Sequence, residues 1–327
     1  MSNSNSTSTS ASPPVGGSRR RTSWIVWLWF WVTIGLVAII QIPKEITAWK
    51  FAAALEAREA GNKELAQLLL QHLMHQDADD PAFLGTKYRW ASEDGRHKEA
   101  LSALQELIKQ SPKNVRWNYL RSQELLHLRR YAEAIADAKQ VKDIAKATGW
   151  PVSNDHAANG LAYARAVGKY ELDQATEELD SVVNNARAEL DESTKRLQSA
   201  RAQHELSFFD LEQAARAQLE LLMVLDTRGF ARLQRSEPES AEPDLDEAVR
   251  LADEYQKFMG RYGREFSSRH RKVNQWEDEL KARRQTLAVI VYHRGLAREQ
   301  LNRDEEAKQD FDRVRELIGK EPDESLF

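Results

Sequence analysis

The chain has 327 residues, 30% of them charged, with a net charge of −4 and no cysteine. That composition excludes a disulfide framework, thiolate zinc sites and cysteine nucleophiles. Charges of both signs are interspersed, so there is no global case for nucleic-acid binding. Glycine and proline are scarce, at 14 and 9 residues, in a background of Ala, Leu, Glu, Gln and Arg that favours helix almost throughout.

Residues 1–22 open with a Ser/Thr/Asn/Pro/Gly-rich run that cannot bury a core and reads as a disordered tail. No charge occurs between Arg21 and Lys44, and Trp24 to Ile42 is almost wholly apolar. A helix over that stretch would measure about 28 Å, close to the ~30 Å hydrocarbon core of a bilayer. The run is too long for a signal-peptide h-region and lacks a small-residue cleavage site. Residues 23–43 are therefore expected to be a transmembrane helix, with the lipid bilayer as a partner. Arg19, Arg20 and Arg21 precede it and favour a cytoplasmic N-terminus. The expectation is a single-pass membrane protein with its C-terminal domain on the extracytoplasmic, periplasmic side.

Downstream, NKELAQLLLQHL, RHKEALSALQEL and RYAEAIADAKQV align on Ala66, Ala100 and Ala134, 34 residues apart. The equivalent positions that follow are Leu70, Leu104 and Ala138, then Leu73, Leu107 and Val141. Offsets of four and seven lie on one helix face. A small residue at the first offset lets two helices approach closely. Wider-spaced copies align Ala175, Leu179 and Val182; Gly229, Ala241, Leu245 and Ala248; and Gly295, Ala307, Phe311 and Val314.

This pattern resembles the tetratricopeptide repeat, whose small, small and bulky residues fall at fixed places in a 34-residue unit. Residues 81–114 fit well, with Leu84, Ala91, Gly95, Ala100, Leu104 and Pro112 at the expected positions. Tyr88 departs from the pattern, because a small residue is expected there. The resemblance implies an all-α, right-handed α-solenoid of helix pairs with a concave groove. Residues 44–182 would form repeats one to four, 222–251 repeat five, and 288–321 repeat six with its cap. Residues 183–221 and 252–287 read as helical insertions. In the first, Val183, Leu190 and Leu197 recur every seven residues, which suits half of an antiparallel hairpin or a degenerate repeat.

No phosphate-binding loop, dinucleotide-binding glycine motif, zinc-protease helix or serine-hydrolase elbow occurs. His72 and His75 lie three apart before Asp77, Asp79 and Asp80, but on the outer face of a repeat, so no metal is expected. The basic strip from Arg261 to Lys272 is flanked by acidic segments and reads as a solvated face. Neither a catalytic residue nor a cofactor is expected. What the resemblance implies instead is recognition along the first helix of each repeat, carried here by Arg89 and Glu93 in the second and by Arg116, Tyr119, Gln123 and His127 in the third. Arg supplies a fork of donors and Tyr a rigid surface with a hydroxyl. The expected function is a membrane-anchored scaffold that holds a protein or peptide partner. The alternative is an accessory subunit of a membrane or envelope complex that self-associates as a homo-oligomer through the helical insertion.

Overall fold

A computed structural model describes residues 21–148, 154–269 and 273–319, without the side chains of 21–26, 35–43, 148, 154, 263–269 and 273–283. Every regular element among them is an α-helix. The first six are α1 (Arg21–Glu59), α2 (Lys63–Gln76), α3 (Pro81–Glu93), α4 (His97–Gln110), α5 (Val115–His127) and α6 (Tyr131–Thr148). The rest are α7 (Asn154–Gly168), α8 (Leu172–Ala202), α9 (Phe208–Gln234), α10 (Pro238–Arg269), α11 (Val273–Gln300) and α12 (Asp304–Ile318). The chain forms two compact units, Met1–Phe83 and Leu84–Phe327. The tail expected over 1–22 lies outside the described residues up to residue 20, as does the end of the chain from residue 320.

The membrane expectation is corrected here. Among the described residues no helix is long and apolar enough to cross a membrane. α1 is one unbroken helix of 39 residues that does not stop at residue 43. It continues through Lys44, Glu45, Lys50, Glu56 and Arg58 to form the first half of a helix pair. Its described apolar side chains, Trp27 to Ile34, include three indoles, each with a polar N–H. They also include Thr33, whose hydroxyl donates to the carbonyls of Trp29 and Phe30. A single-pass membrane location, with the topology expected from Arg19 to Arg21, is therefore not sustained.

Within the first unit, the second half of α1 packs on α2 through Ala54, Ala66, Leu70 and Leu73, all buried. Phe51 meets Phe83 at 5.2 Å between ring centroids.

In the second unit the 34-residue echo becomes a packing rule. Ala100, Ala134, Ala175 and Ala241 are fully buried, and Ala307 is 3% exposed. The residues four and seven positions later, such as Leu104 and Leu107 or Leu179 and Val182, are buried with them, apart from the half-buried Phe311. Each fully buried Leu or Val contributes about 1.5–3 kcal/mol of transfer free energy. The alanine is what permits the close crossing that buries them. These are tetratricopeptide-like helix pairs.

Chemistry at the helix ends fixes their lengths. Asn62 and Asn114 cap α2 and α5 by accepting the amides of Leu65 and Trp117. Ser207 and Asp210 form a reciprocal capping box at α9. Pro112 follows the end of α4, as its missing N–H requires.

Every turn inside a pair ends on a left-handed residue: Gly61, Gly95, Arg129, Lys169, Ser236 and Asn302. The amide after each one reaches back to a carbonyl in the last helical turn, as from Arg96 to Ala91, Arg130 to Leu125 and Tyr170 to Arg165. This hydrogen-bond pattern closes a helix C-terminus with a left-handed residue.

The stretches between the last repeats are continuations of the flanking helices. α8 runs on without a break past Val182 with Val183, Ala186 and Leu197 buried, turns over residues 203–207, and returns as α9 through Leu211, Ala214 and Ala215. α10 and α11 repeat the arrangement, and one continuous core runs from Ala158 to Val314.

Candidate functional site

Alternate helices of the second unit bring a row of rings together. Tyr119 on α5 lies 5.8 Å from His156 on α7, between ring centroids. Gly160 admits that ring, since a Cβ there would stand 3.2 Å from it. Further along α7, Tyr163 is 6.5 Å from Phe230 on α9. Phe230 in turn stacks on His293 of α11 at 4.1 Å, with the rings 14° from parallel. Buried Asp226 faces His293 Nδ1 at 2.7 Å. Burial pushes the Tyr119 hydroxyl up, and burial with the Asp226 charge does the same to Tyr163. Tyr88 on α3 is pushed up to about 12, first by burial and then by Glu124. All three phenols are thus neutral donors at ordinary pH.

Glu124 ties three helices together. It is 2% exposed, accepts the Ser92 hydroxyl at 2.6 Å and faces His97 Nδ1 at 2.8 Å. Both partners address the carboxylate and not each other, so this is an orienting device rather than a nucleophile–base pair. It sets the His97 ring, which stacks on His127 at 4.4 Å.

Beside that stacked pair opens a cavity of about 530 Å³. Its cationic or cation-capable lining is His97, His127, Arg129 and Lys169. Its apolar wall is Leu126, Val167, Phe230 and Leu296, and Tyr131, Gln234 and Tyr292 add polar edges. The first residues of α4 and α6 and the C-terminal turns of α5, α7, α9 and α11 contribute to it, so five successive helix pairs build one concavity.

On α5, α9 and α11, arginines bind carboxylates sixteen residues ahead. Arg121 grips Asp137 through two bonds of 2.6 Å. Arg228 holds Asp244 at 2.8 and 2.7 Å, and Arg294 holds Asp310 at 3.0 and 2.6 Å. Arg228 also reaches Asp180, and Arg294 reaches Asp246. Burial opposes the charge on Arg228 and Arg294, yet their carboxylates hold both above the ordinary arginine value.

The residues singled out from sequence divide in two. Arg89 and Glu93 are exposed on α3. Arg116 is exposed with its guanidinium 5.6 Å from the Trp117 ring centroid. Gln123 is half-buried, and Tyr119 joins the ring row. His127 is the one that lines the cavity.

Sequence reasoning missed the other lining residues. Extending the same first-helix positions to the last repeats would have found Phe230, Gln234, Tyr292 and Leu296. Arg129 and Lys169 carry a different signal, since they occupy the turn position held by Gly95 in an earlier pair. As for metal, His72 Nε2 is 3.1 Å from Lys50 Nζ. Asp80 caps α3 by accepting the amide of Ala82. No cluster of three potential ligands occurs among the described residues.

No family model and no curated protein matches this chain. Among solved structures it is similar to a MamA RS-1 ArsTM double mutant, at 14% identity and a TM-score of 0.41, covering 64% of this chain and 95% of that one. It is also similar to a tetratricopeptide repeat protein from Parabacteroides merdae ATCC 43184, at 15% identity and a TM-score of 0.39, covering 65% and 83%. A third is PilW, a type IV pilus biogenesis factor, at 12% identity and a TM-score of 0.35, covering 62% and 91%. At these scores the likeness carries no functional argument, and the repeat character stands on the helix pairing described above.

Proposed function

We propose that this chain is a non-enzymatic scaffold that binds a protein or peptide segment along the face built by its alternate helices α3, α5, α7, α9 and α11. One observation carries the reading: five successive helix pairs contribute rings, hydroxyls and cation-capable groups to a single concavity. Rigid aromatics with polar tips are what protein recognition surfaces use. Arg89, Glu93, Arg116, Tyr119 and Gln123 extend the proposed surface toward α3.

The test is site-specific photocrosslinking from Gln123, on the proposed face, and from Gln140, exposed on α6. Partner adducts are expected from Gln123 only. They should fall at least fivefold with Arg116→Glu and Tyr119→Ala combined, in protein whose unfolding transition is retained. Equal adducts from both positions, or adducts indifferent to the double substitution, overturn the assignment.

A further inference from the structure

We infer that the edge formed by α11 and α12 docks one further helix, supplied by a partner protein and carrying two arginines four residues apart. This docking goes beyond the scaffold reading and needs no residue of α3, α5 or α7.

A 66-residue period points to this edge. Asp180 on α8, Asp246 on α10 and Asp312 on α12 each stand five residues after a buried crossing alanine, Ala175, Ala241 or Ala307. The first two receive the helix that follows. Asp180 accepts Arg228 and Arg232 of α9 at 2.9 and 3.5 Å. Asp246 accepts Arg294 and Arg298 of α11 at 3.1 and 3.2 Å. Both helices present the arginines in the same frame, TRGFAR and HRGLAR. Asp312 takes the third such place, and its ion pair among the described residues is with Arg315 of its own helix. Both members of that pair are half-exposed, and exposed pairs within one helix are weak, so an incoming donor displaces or joins it. One contact does not fill an aspartate: Asp180 and Asp246 each serve two guanidinium groups through a single oxygen.

The groove at this edge has the matching shape. It holds about 560 Å³, with Tyr292 and Leu296 of α11 and Ala307 and Phe311 of α12 as its apolar wall. One module earlier the same places are Asp226, Phe230, Ala241 and Leu245. There α11 covers them, with His293 stacked on Phe230 at 4.1 Å and facing Asp226. Leu245 is fully buried, whereas Phe311 is half-buried. Glu299 and Arg315 replace the buried Leu233 and Val249 of that module. Such a polar rim keeps an uncovered end in water and suits a partner that binds and leaves.

Charge selects the occupant. Glu305 stands where Asp173 meets Arg235 at 3.0 Å. With Arg315 matched to Asp312, Glu299, Asp304 and Glu305, which make no ion pair among the described residues, outnumber the exposed Lys308. The edge is therefore negative and calls for a basic helix. This chain does not supply one. Arg228 with Arg232 and Arg294 with Arg298 are the arginines spaced by four in the sequence, and each already holds a carboxylate of its own helix pair. Residues 320–327, KEPDESLF, contain no arginine.

The probe is a stapled helical peptide with the sequence of residues 219–235, titrated into the full chain by fluorescence anisotropy. Saturable binding is expected, weakened several-fold when NaCl rises from about 50 to about 500 mM. Arg228→Gln with Arg232→Gln in the peptide should weaken it at least tenfold, and so should Asp312→Lys in the chain. The same charge change at Asp191, exposed on α8, should leave binding unchanged. Asp312→Arg should instead favour a peptide with Asp at both arginine positions. No binding, binding indifferent to Asp312→Lys, or equal loss with Asp191→Lys overturns the proposal. Self-association of the full chain in sedimentation that Asp312→Lys removes would give the edge to a second copy and overturn it as well. None of these outcomes bears on crosslinking from Gln123.

Discussion

At the residue scale, the buried arginines decide how much this fold can lose. Asp244 is 4% exposed and is held by both Arg228 and Arg232. Removing one partner of a buried pair strands a charge and costs about 3–5 kcal/mol, whereas replacing both partners with apolar groups is often neutral. Because Arg232 stays in place, Arg228→Ala should cost about 2 kcal/mol in urea unfolding. Arg228→Ala with Arg232→Ala should cost about 3–5 kcal/mol. Arg228→Met with Asp244→Leu should cost about 1 kcal/mol or less. If the two alanine variants prove equal, Arg232 does not share the load. None of this was legible in the sequence: an arginine sixteen residues before an aspartate is unremarkable until two helices cross and bring them together.

At the element scale, the close crossings set the strictest requirement on sequence. A Cβ on Gly229 would stand 2.7 Å from Leu245 Cγ, and one on Gly295 would stand 2.6 Å from Phe311 Cε1. Overpacking of this kind costs about 1–3 kcal/mol, against roughly 1 kcal/mol that alanine gains over glycine inside a helix. Gly229→Ala is therefore expected to destabilise by about 1–2 kcal/mol in chemical denaturation, since Leu245 is fully buried and cannot move aside. Gly295→Ala should cost less, because Phe311 is only partly buried and its ring can turn. A stabilised Gly229→Ala variant would mean that α9 and α10 shift freely.

Pairing of this kind was readable from the chain. Ala66, Ala100, Ala134, Ala175, Ala241 and Ala307 announce it by spacing, and each is buried. The turns were readable only where glycine marked them. Arg129, Lys169, Ser236 and Asn302 take the same left-handed conformation because the closing hydrogen bonds impose it, whatever the side chain prefers. α1 shows the opposite failure. Its apolar composition suggested a boundary at residue 43, yet helix propensity carries one element straight through into the first pair.

At the scale of the whole molecule, three tyrosines with raised pKa values make the fold sensitive to alkali. Tyr88, pushed up to about 12, and the raised Tyr119 and Tyr163 ionise later in the folded chain than in the unfolded one. An unfolded tyrosine titrates near 10. A folded value above the unfolded one means the contribution to stability is fully present below about pH 10 and is lost as pH climbs toward 12. The urea midpoint should hold level up to about pH 10 and then fall. Tyr88→Phe, Tyr119→Phe and Tyr163→Phe together should flatten that fall. If all eight tyrosines ionise together near pH 10 in folded protein, Tyr88, Tyr119 and Tyr163 are not shielded from water as described.

The last repeats also share a longer period. Arg228 and Arg294, Asp244 and Asp310, and Asp180 and Asp246 stand 66 residues apart and make the same contacts. One matching pair has reversed polarity: α8 offers Arg187 to Glu247 of α10, while α10 offers Asp253 to Arg313 of α12. If α12 docked on α8 in place of α10, two guanidinium groups would face each other. The alternation works like a keyed connector, in which each module accepts its sequence neighbour and repels the next one along.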